Sequence, residues 1–570
     1  MTLAKRFKCS SNWQLHGCIQ LALAAGTSGH RRQSALVNAE IKGSIVLKIK
    51  DYINIEQAAQ KSGGEAARIG SAIIFVVLVI VFTGTNFGHL EQAYLLIAAA
   101  VIGAYMAMNI GANDVANNVG PAVGSLAISL TSAILIAAVF EAAGAIIAGG
   151  EVVKTVKNGI IDPTKIDDKE VFVWVMMGAL LGAAIWLNAA TWFGAPVSTT
   201  HSIVGGVMGA GVAGAGWDIV NWASITSIVA SWVISPVMGG LFAALFLYVL
   251  KRLVFFDQDP MIAARKVVPL MLAIMAWTFA SYLALKGMKH IVKISAPVAI
   301  AIGFVIGVAT FLIVRPLISR AALVFSPDRD GVNRLFTLPL IFAAALLSFA
   351  HGANDVANAV GPLAGIVDAL TQDTAGTAKV AIPLWVMAIG AIGISVGLAL
   401  FGPKLIRTVG SEITELDRAR AFCIALSAAI TVIVASQLGM PVSSTHVALG
   451  AVFGVGFLRE FLEQRMNRVV EDVLAKHQGL PDFSEAEAVL RNFQNAPSED
   501  KDRILKELKA MGPEAVITAA QRKELRKALK RQLVKRSALL KIASAWIITV
   551  PVSAFLGAMF YFVLRGMLLP

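Results

Sequence analysis

A succession of apolar runs, each about as long as a membrane is thick, limits what this 570-residue chain can fold into more than any other feature. Crossing roughly 30 Å of hydrocarbon takes about 20 helical residues. Runs of that size fall at 69–86, 92–110, 127–149, 171–193, 224–250, 267–286, 296–314, 335–351, 380–402, 420–438 and 541–565. Inside lipid every backbone N–H and C=O needs an internal partner, which only helices and closed barrels supply. A barrel would show alternating segments of about ten residues, and these runs are continuous. The expected fold is all-α and polytopic, with about 11–12 transmembrane helices. Composition agrees, since 57% of residues are hydrophobic, 15% are charged and the mean hydropathy is +0.72, outside the soluble range. Glycine-rich stretches such as GGVMGAGVAGAG at 205–216 let such helices approach closely.

The formal charge of +13 does not call for nucleic acid, because basic loops that orient membrane helices account for it. Cys9, Cys18 and Cys423 are too scattered for a disulfide framework or a metal cluster. The chain divides into a polar arm at 1–68, an extra span at 69–90, a first transmembrane repeat at 91–250, a linker with two spans at 251–334, a second repeat at 335–458, a helical insertion at 459–540 and a final span at 541–570. In the insertion, Ser484 with Glu487 and Thr518 with Gln521 have capping-box spacing, and Gly512 and Pro513 separate two helices. Its last helix, 522–536, carries Leu525, Leu529 and Leu533 on one stripe amid basic groups. That pattern suits a helix on the cytoplasmic leaflet or a solvated positive anchor.

The duplication rests on two motifs. GANDVANNVG at 111–120 returns as GANDVANAVG at 352–361, 241 residues later, and PVSTTH at 196–201 returns as PVSSTH at 441–446, 245 residues later. Duplicated halves with interrupted apolar segments at corresponding places mark a secondary transporter whose site lies at the midplane. An inverted relation between the halves is expected.

On a helix Asn113 and Asn117 share a face, as do Asn354 and Asn358. Asp114 and Asp355 sit beside them, and ionisable groups within a membrane cost enough to imply a task. In the second motif proline stops one helix and opens the next. Ser198, Thr199 and Thr200, and Ser443, Ser444 and Thr445, then bring hydroxyls and unpaired N–H groups to a helix start, which suits an anion. Ordinary capping would need one hydroxyl. His201 and His446 follow as hydrogen-bonding supports, while His351 precedes only the second Asn-Asp motif. Two carboxylates beside an anion site repel the anion unless cations enter with it. Asp114 and Asp355 are therefore candidate positions for Na⁺ or for protons. Glu141 is a further buried carboxylate that could be structural or take part in coupling.

These four motif copies resemble the duplicated signature of the PiT inorganic phosphate transporter family, over about residues 90–460 and the last span. The resemblance implies a two-repeat helical symporter for inorganic phosphate with Na⁺ or H⁺, in some bacterial members for a neutral metal-phosphate complex. It implies that Asn113, Asp114, Asn117, Asn354, Asp355 and Asn358 bind phosphate and cation, that Ser198, Thr199, Thr200, Ser443, Ser444 and Thr445 hold phosphate, and that Glu141 matches a carboxylate of relatives. No cofactor beyond the cotransported ion, no enzymatic activity and a bacterial inner-membrane location are expected, and a homo-oligomer is compatible. Asn118 stands where a small residue is usual. A sulfate permease of the same architecture and a passive anion channel remain as alternatives. An intramembrane serine hydrolase lacks a G-x-S-x-G elbow around either serine.

Overall fold

The computed structural model describes residues 65–166, 168–195, 197–286, 294–371, 382–412, 416–477, 483–495, 504–505, 508, 517–518, 521–522, 525 and 536–568. Two units separate, Met1–Ser71 and Ala72–Pro570. Of the first, residues 65–71 are described, as the start of the first helix; everything else below concerns the second.

Among the described residues eleven helices are long and apolar enough to cross a membrane, and each expected run has its counterpart. In chain order the helices are α1 (Glu65–Phe87), α2 (Ala93–Asn113), α3 (Val115–Gly124), α4 (Leu130–Ala148), α5 (Gly150–Asn158), α6 (Lys169–Phe193), α7 (Thr199–Ala215) and α8 (Trp222–Leu250). The linker gives α9 (Pro260–Lys286), α10 (Ala296–Ala321) and the short α11 (Arg329–Leu335). The second half follows with α12 (Thr337–Asp355), α13 (Ala357–Thr371), α14 (Leu384–Glu412), α15 (Arg418–Gln437) and α16 (Ser444–His477), then α17 (Phe483–Asn495) and α18 (Arg536–Leu568).

Polar residues at the run boundaries fix where helices start. Ser129 accepts from Ser132 N at 3.1 Å, Asp168 from Glu170 N at 2.8 Å and Asp417 from Arg420 N at 2.8 Å, each serving a donor that the helix leaves unpaired. Asp328 does the same for α11, and the Gly331 N–H and Ser326 hydroxyl hold its carboxyl below the usual carboxylate range.

Small residues decide which helices meet. A Cβ at Gly144 would run into the Phe349 carbonyl, and one at Gly352 into the Glu141 carbonyl, so α4 crosses α12 backbone to backbone. The same occurs between α2 and α14, where a Cβ at Gly111 would strike Ile394 and one at Gly397 would strike Met108. The halves also exchange their last helices. α7 packs on α18 through Gly205 and Gly209 against Val550 and Ala554, while α16 packs on α8 through Gly450 and Gly454 against Pro236 and Gly240.

α16 continues past the bilayer-sized portion and joins α17 in a separate apolar cluster with Val470, Val473, Leu490, Phe493, Ile517 and Leu525. The Thr518 capping box forms, with Thr518 N donating to Gln521 Oε1 at 2.8 Å and Gln521 N to Thr518 Oγ1 at 3.3 Å. α17 begins at Phe483, so Ser484 lies inside its first turn rather than at the cap. Leu525 is buried among protein side chains instead of facing lipid. Gly512, Pro513, Leu529 and Leu533 lie outside the described residues, as do Cys9, Cys18 and the arm at 1–64.

Candidate functional site

Both copies of the Asn-Asp motif sit at a helix joint. Asp114 links α2 to α3, and Asp355 closes α12 just before α13. Both copies of the hydroxyl motif sit at a helix start, after a turn that the sequence also sets. Gly194 follows α6 at φ 74° and Gly439 follows α15 at φ 69°, a left-handed conformation that glycine adopts without steric cost. The chain then reverses into α7 and α16.

Asn113 and Asn354 hold these turns. Asn113 Nδ2 donates to Thr191 Oγ1 at 2.8 Å and Ala195 O at 3.3 Å, and its Oδ1 accepts from Val197 N at 3.2 Å. Asn354 repeats the clamp on Ser436 Oγ at 2.9 Å, Met440 O at 3.1 Å and Val442 N at 3.2 Å. Sequence reasoning missed Thr191 and Ser436. They lie 245 residues apart, the spacing of the hydroxyl motifs, and that register could have found them.

The carboxylates receive the hydroxyls. Thr199 Oγ1 donates to Asp114 Oδ2 at 2.7 Å and Thr445 Oγ1 to Asp114 Oδ1 at 3.0 Å, so one carboxylate takes a hydroxyl from each half. Ser444 Oγ donates to Asp355 Oδ2 at 3.0 Å. Asn117 Nδ2 reaches Thr445 Oγ1 at 2.9 Å, and Asn358 Nδ2 reaches Thr199 and Thr200 at 3.1 and 3.2 Å. Each amide thus crosses to the other half. Ser198 and Ser443 cap their helices, accepting from His201 N at 3.1 Å and His446 N at 3.3 Å. Thr200 Oγ1 donates to Val442 O at 3.0 Å.

The donors fix which way the amides point. Thr199 and Thr200 spend their hydroxyl hydrogens on Asp114 and Val442, so both can only accept from Asn358 Nδ2. Among the described residues no donor reaches the buried oxygens of Asn117 and Asn358 or Asp355 Oδ1. Acceptors left in that state cost free energy unless something positive meets them. Asp114 and Asp355 bring carboxylate oxygens within 4.8 Å of each other, a spacing that one cation can span, so the two carboxylates fit a cation between them.

Glu141 has neighbours the sequence did not reveal. Its Oε1 accepts from Asn118 Nδ2 at 2.7 Å, and its Oε2 lies 2.6 Å from His351 Nδ1. His351 Nε2 is 2.8 Å from Asp355 Oδ2, so the imidazole lies between Glu141 and Asp355. All four groups are buried. His201 and His446 pack as braces, with ring centroids 4.4 Å apart and the His201 ring tilted by 41° at 3.7 Å from Trp232, whose Nε1 donates to Pro441 O at 3.2 Å.

Residues 110–557 match the model of the phosphate transporter family. The chain belongs to that family. A provisionally named phosphate permease of Helicobacter pylori is 49% identical over 528 residues, covering 90% of this chain and 98% of that protein. A relative of the same description in Haemophilus influenzae is 36% identical over 372 residues, covering 64% of this chain and 89% of its own length. Among solved structures, a sodium-dependent phosphate transporter superposes with a TM-score of 0.66 at 32% identity, over 83% of this chain and all of that one. The family member described here is therefore an integral membrane protein of helical transporter fold.

Proposed function

We propose that this transporter imports inorganic phosphate across a bacterial cytoplasmic membrane by symport with a cation, Na⁺ in preference to H⁺. The observation that carries the reading is that three buried oxygens at the site, Asn117 Oδ1, Asn358 Oδ1 and Asp355 Oδ1, have no donor among the described residues. A carboxylate can satisfy itself by taking a proton. A carboxamide oxygen cannot at physiological pH, but it can coordinate Na⁺, which favours Na⁺ over H⁺ as the coupling ion. The solved relative is a sodium-dependent transporter, which supports the same choice.

In this reading Asp114, Asp355, Asn117 and Asn358 hold the cation. The starts of α7 and α16 meet the phosphate through N–H groups and through the hydroxyls of Thr199, Thr200, Ser444 and Thr445, while Ser198 and Ser443 cap them. Asn113 and Asn354 act by fixing the turns before those helix starts. Glu141, held by Asn118 and His351, positions the Asp355 side. Without cations the anion would face two carboxylates in a low dielectric. With them, each hydroxyl released from a carboxylate becomes a donor to phosphate, and that exchange links the two ligands. Phosphate also keeps a proton to donate to an Asp oxygen, which sulfate lacks. The inverted relation of the halves belongs to this proposal, as the means by which one site faces either side in turn.

Labelled phosphate uptake into proteoliposomes holding only this protein tests the reading, with inward Na⁺ and H⁺ gradients imposed separately. The Na⁺ gradient should drive accumulation above equilibrium. Accumulation with H⁺ alone, or equilibration that never exceeds the phosphate gradient, would defeat it.

A further inference from the structure

Three membrane helices have ends close together at one edge of the molecule. α10 finishes at Ala321, α12 starts at Thr337 and α15 starts at Arg418, with α11 between the first two. Thr337 and Asp355 stand at opposite ends of α12, about 27 Å apart at 1.5 Å per residue, so this edge is remote from the Asn-Asp site. A cavity of about 280 Å³ lies there. Ile318, Phe325, Leu335 and Leu338 form its apolar wall, and Arg334 and Arg418 supply its charge. Leu338 is 64% exposed, so the cavity opens on the face that lipid would cover.

Among the described residues, these two arginines bring more charge than carboxylates answer. Arg418 donates to Thr337 Oγ1 at 2.9 Å and Leu126 O at 3.2 Å, both neutral acceptors, and among the described residues no carboxylate pairs with it. Asp417, its neighbour in sequence, serves Arg420 instead, at 3.1 Å from Nε. Arg334 meets Asp330 at 3.0 Å with both side chains more than half exposed, a pair worth little in water. A guanidinium has five N–H donors in a fork that suits phosphate.

We infer that this cavity binds an anionic phospholipid, with the headgroup phosphate on Arg334 and Arg418 and the start of an acyl chain along Ile318, Phe325 and Leu335. Free phosphate has no use for the apolar wall, and a neutral lipid has none for the second arginine. The level is right, because span ends meet headgroups, and basic pockets between membrane helices are where such lipids lodge. Arg418 also ties the Leu126 carbonyl, just beyond α3, to Thr337 at the head of α12. A lipid seated on it braces the two helices that carry Asn117 and Asn354.

Native mass spectrometry of the delipidated full-length protein tests this, with phosphatidylglycerol and phosphatidylcholine offered in turn and inorganic phosphate as competitor. Phosphatidylglycerol should bind in preference, and Arg334→Gln and Arg418→Gln should each weaken it by roughly fivefold, the usual worth of one basic residue at an anionic lipid surface. Ala321→Phe fills the cavity and spares both arginines, so it should also weaken binding. Phosphatidylglycerol should raise the unfolding temperature of the parent protein but not of Ala321→Phe. Arg418→Gln removes two structural hydrogen bonds and can fail to fold, whereas Arg334→Gln and Ala321→Phe lie on half-exposed positions and keep the test open. Equal binding of the two lipids, unchanged binding in both of those variants, or displacement of the lipid by excess inorganic phosphate would overturn the inference.

Discussion

Asn117 and Asn358 are the side chains on which the proposed chemistry turns, because each gives its N–H₂ to the opposite half and leaves a buried oxygen without a donor among the described residues. Replacing either with alanine should raise the Na⁺ concentration for half-maximal uptake by roughly tenfold, within the ordinary range of coupling between sites; unchanged Na⁺ dependence would remove them from the cation site. A second residue-scale test concerns Lys157 and Asp368, a buried ion pair joining α5 to α13. Asp368→Asn should lower stability to denaturant by about 3–5 kcal/mol, because it leaves a buried charge alone, and an apolar replacement of both residues should recover most of that loss. The Asn-Asp motifs and hydroxyl triplets were legible in the sequence because polar groups in apolar runs stand out and theirs recur. The Glu141 contacts were not read, although their trace was present. Asn118 faces Ala359 across the repeat and His351 faces Ile110, and these two departures from symmetry converge on Glu141 in space. Lys157 and Asp368 carried no such trace, since each looks like an ordinary loop-proximal charge.

Among the helices, two features hold the site in register: glycine crossings and asparagine clamps. α4 meets α12 at Gly144 and Gly352, and the crossing brings the Glu141 and His351 side chains together. Gly352→Ala should push these backbones apart and cost about 1–3 kcal/mol, as overpacked cores do, with transport falling alongside. A loss of stability without loss of uptake would mean that the close crossing serves folding alone. The clamps give a sharper discrimination. Asn113→Ala deletes three hydrogen bonds to the α6–α7 turn and should destabilise the phosphate-free protein by about 1–3 kcal/mol. A residue that only bound phosphate would leave the phosphate-free protein unchanged. Apolar length made the helices themselves readable, with all eleven spans anticipated. Their pairing was not, because a glycine is compatible with many neighbours until the partner helix is known.

For the molecule as a whole, the two halves exchange parts at every level: α7 packs on α18, α16 on α8, and Asp114 takes hydroxyls from both Thr199 and Thr445. A site built this way cannot be completed by one half, which gives a physical reason for the motifs to occur twice. The duplication was visible from sequence spacing alone, whereas the exchange was not, since spacing orders elements without saying which ones touch. In the proposed mechanism the same shared hydroxyls tie cation to anion, because Thr199 and Thr445 serve phosphate once a cation has taken their place on Asp114. Equilibrium binding of labelled phosphate to the purified protein, titrated across Na⁺ concentrations at constant ionic strength, measures that link most directly. Phosphate affinity should rise with Na⁺, and by reciprocity Na⁺ affinity should rise with phosphate. Phosphate affinity that stays flat from Na⁺-free buffer to saturating Na⁺ would show that the cation and the anion do not share this site.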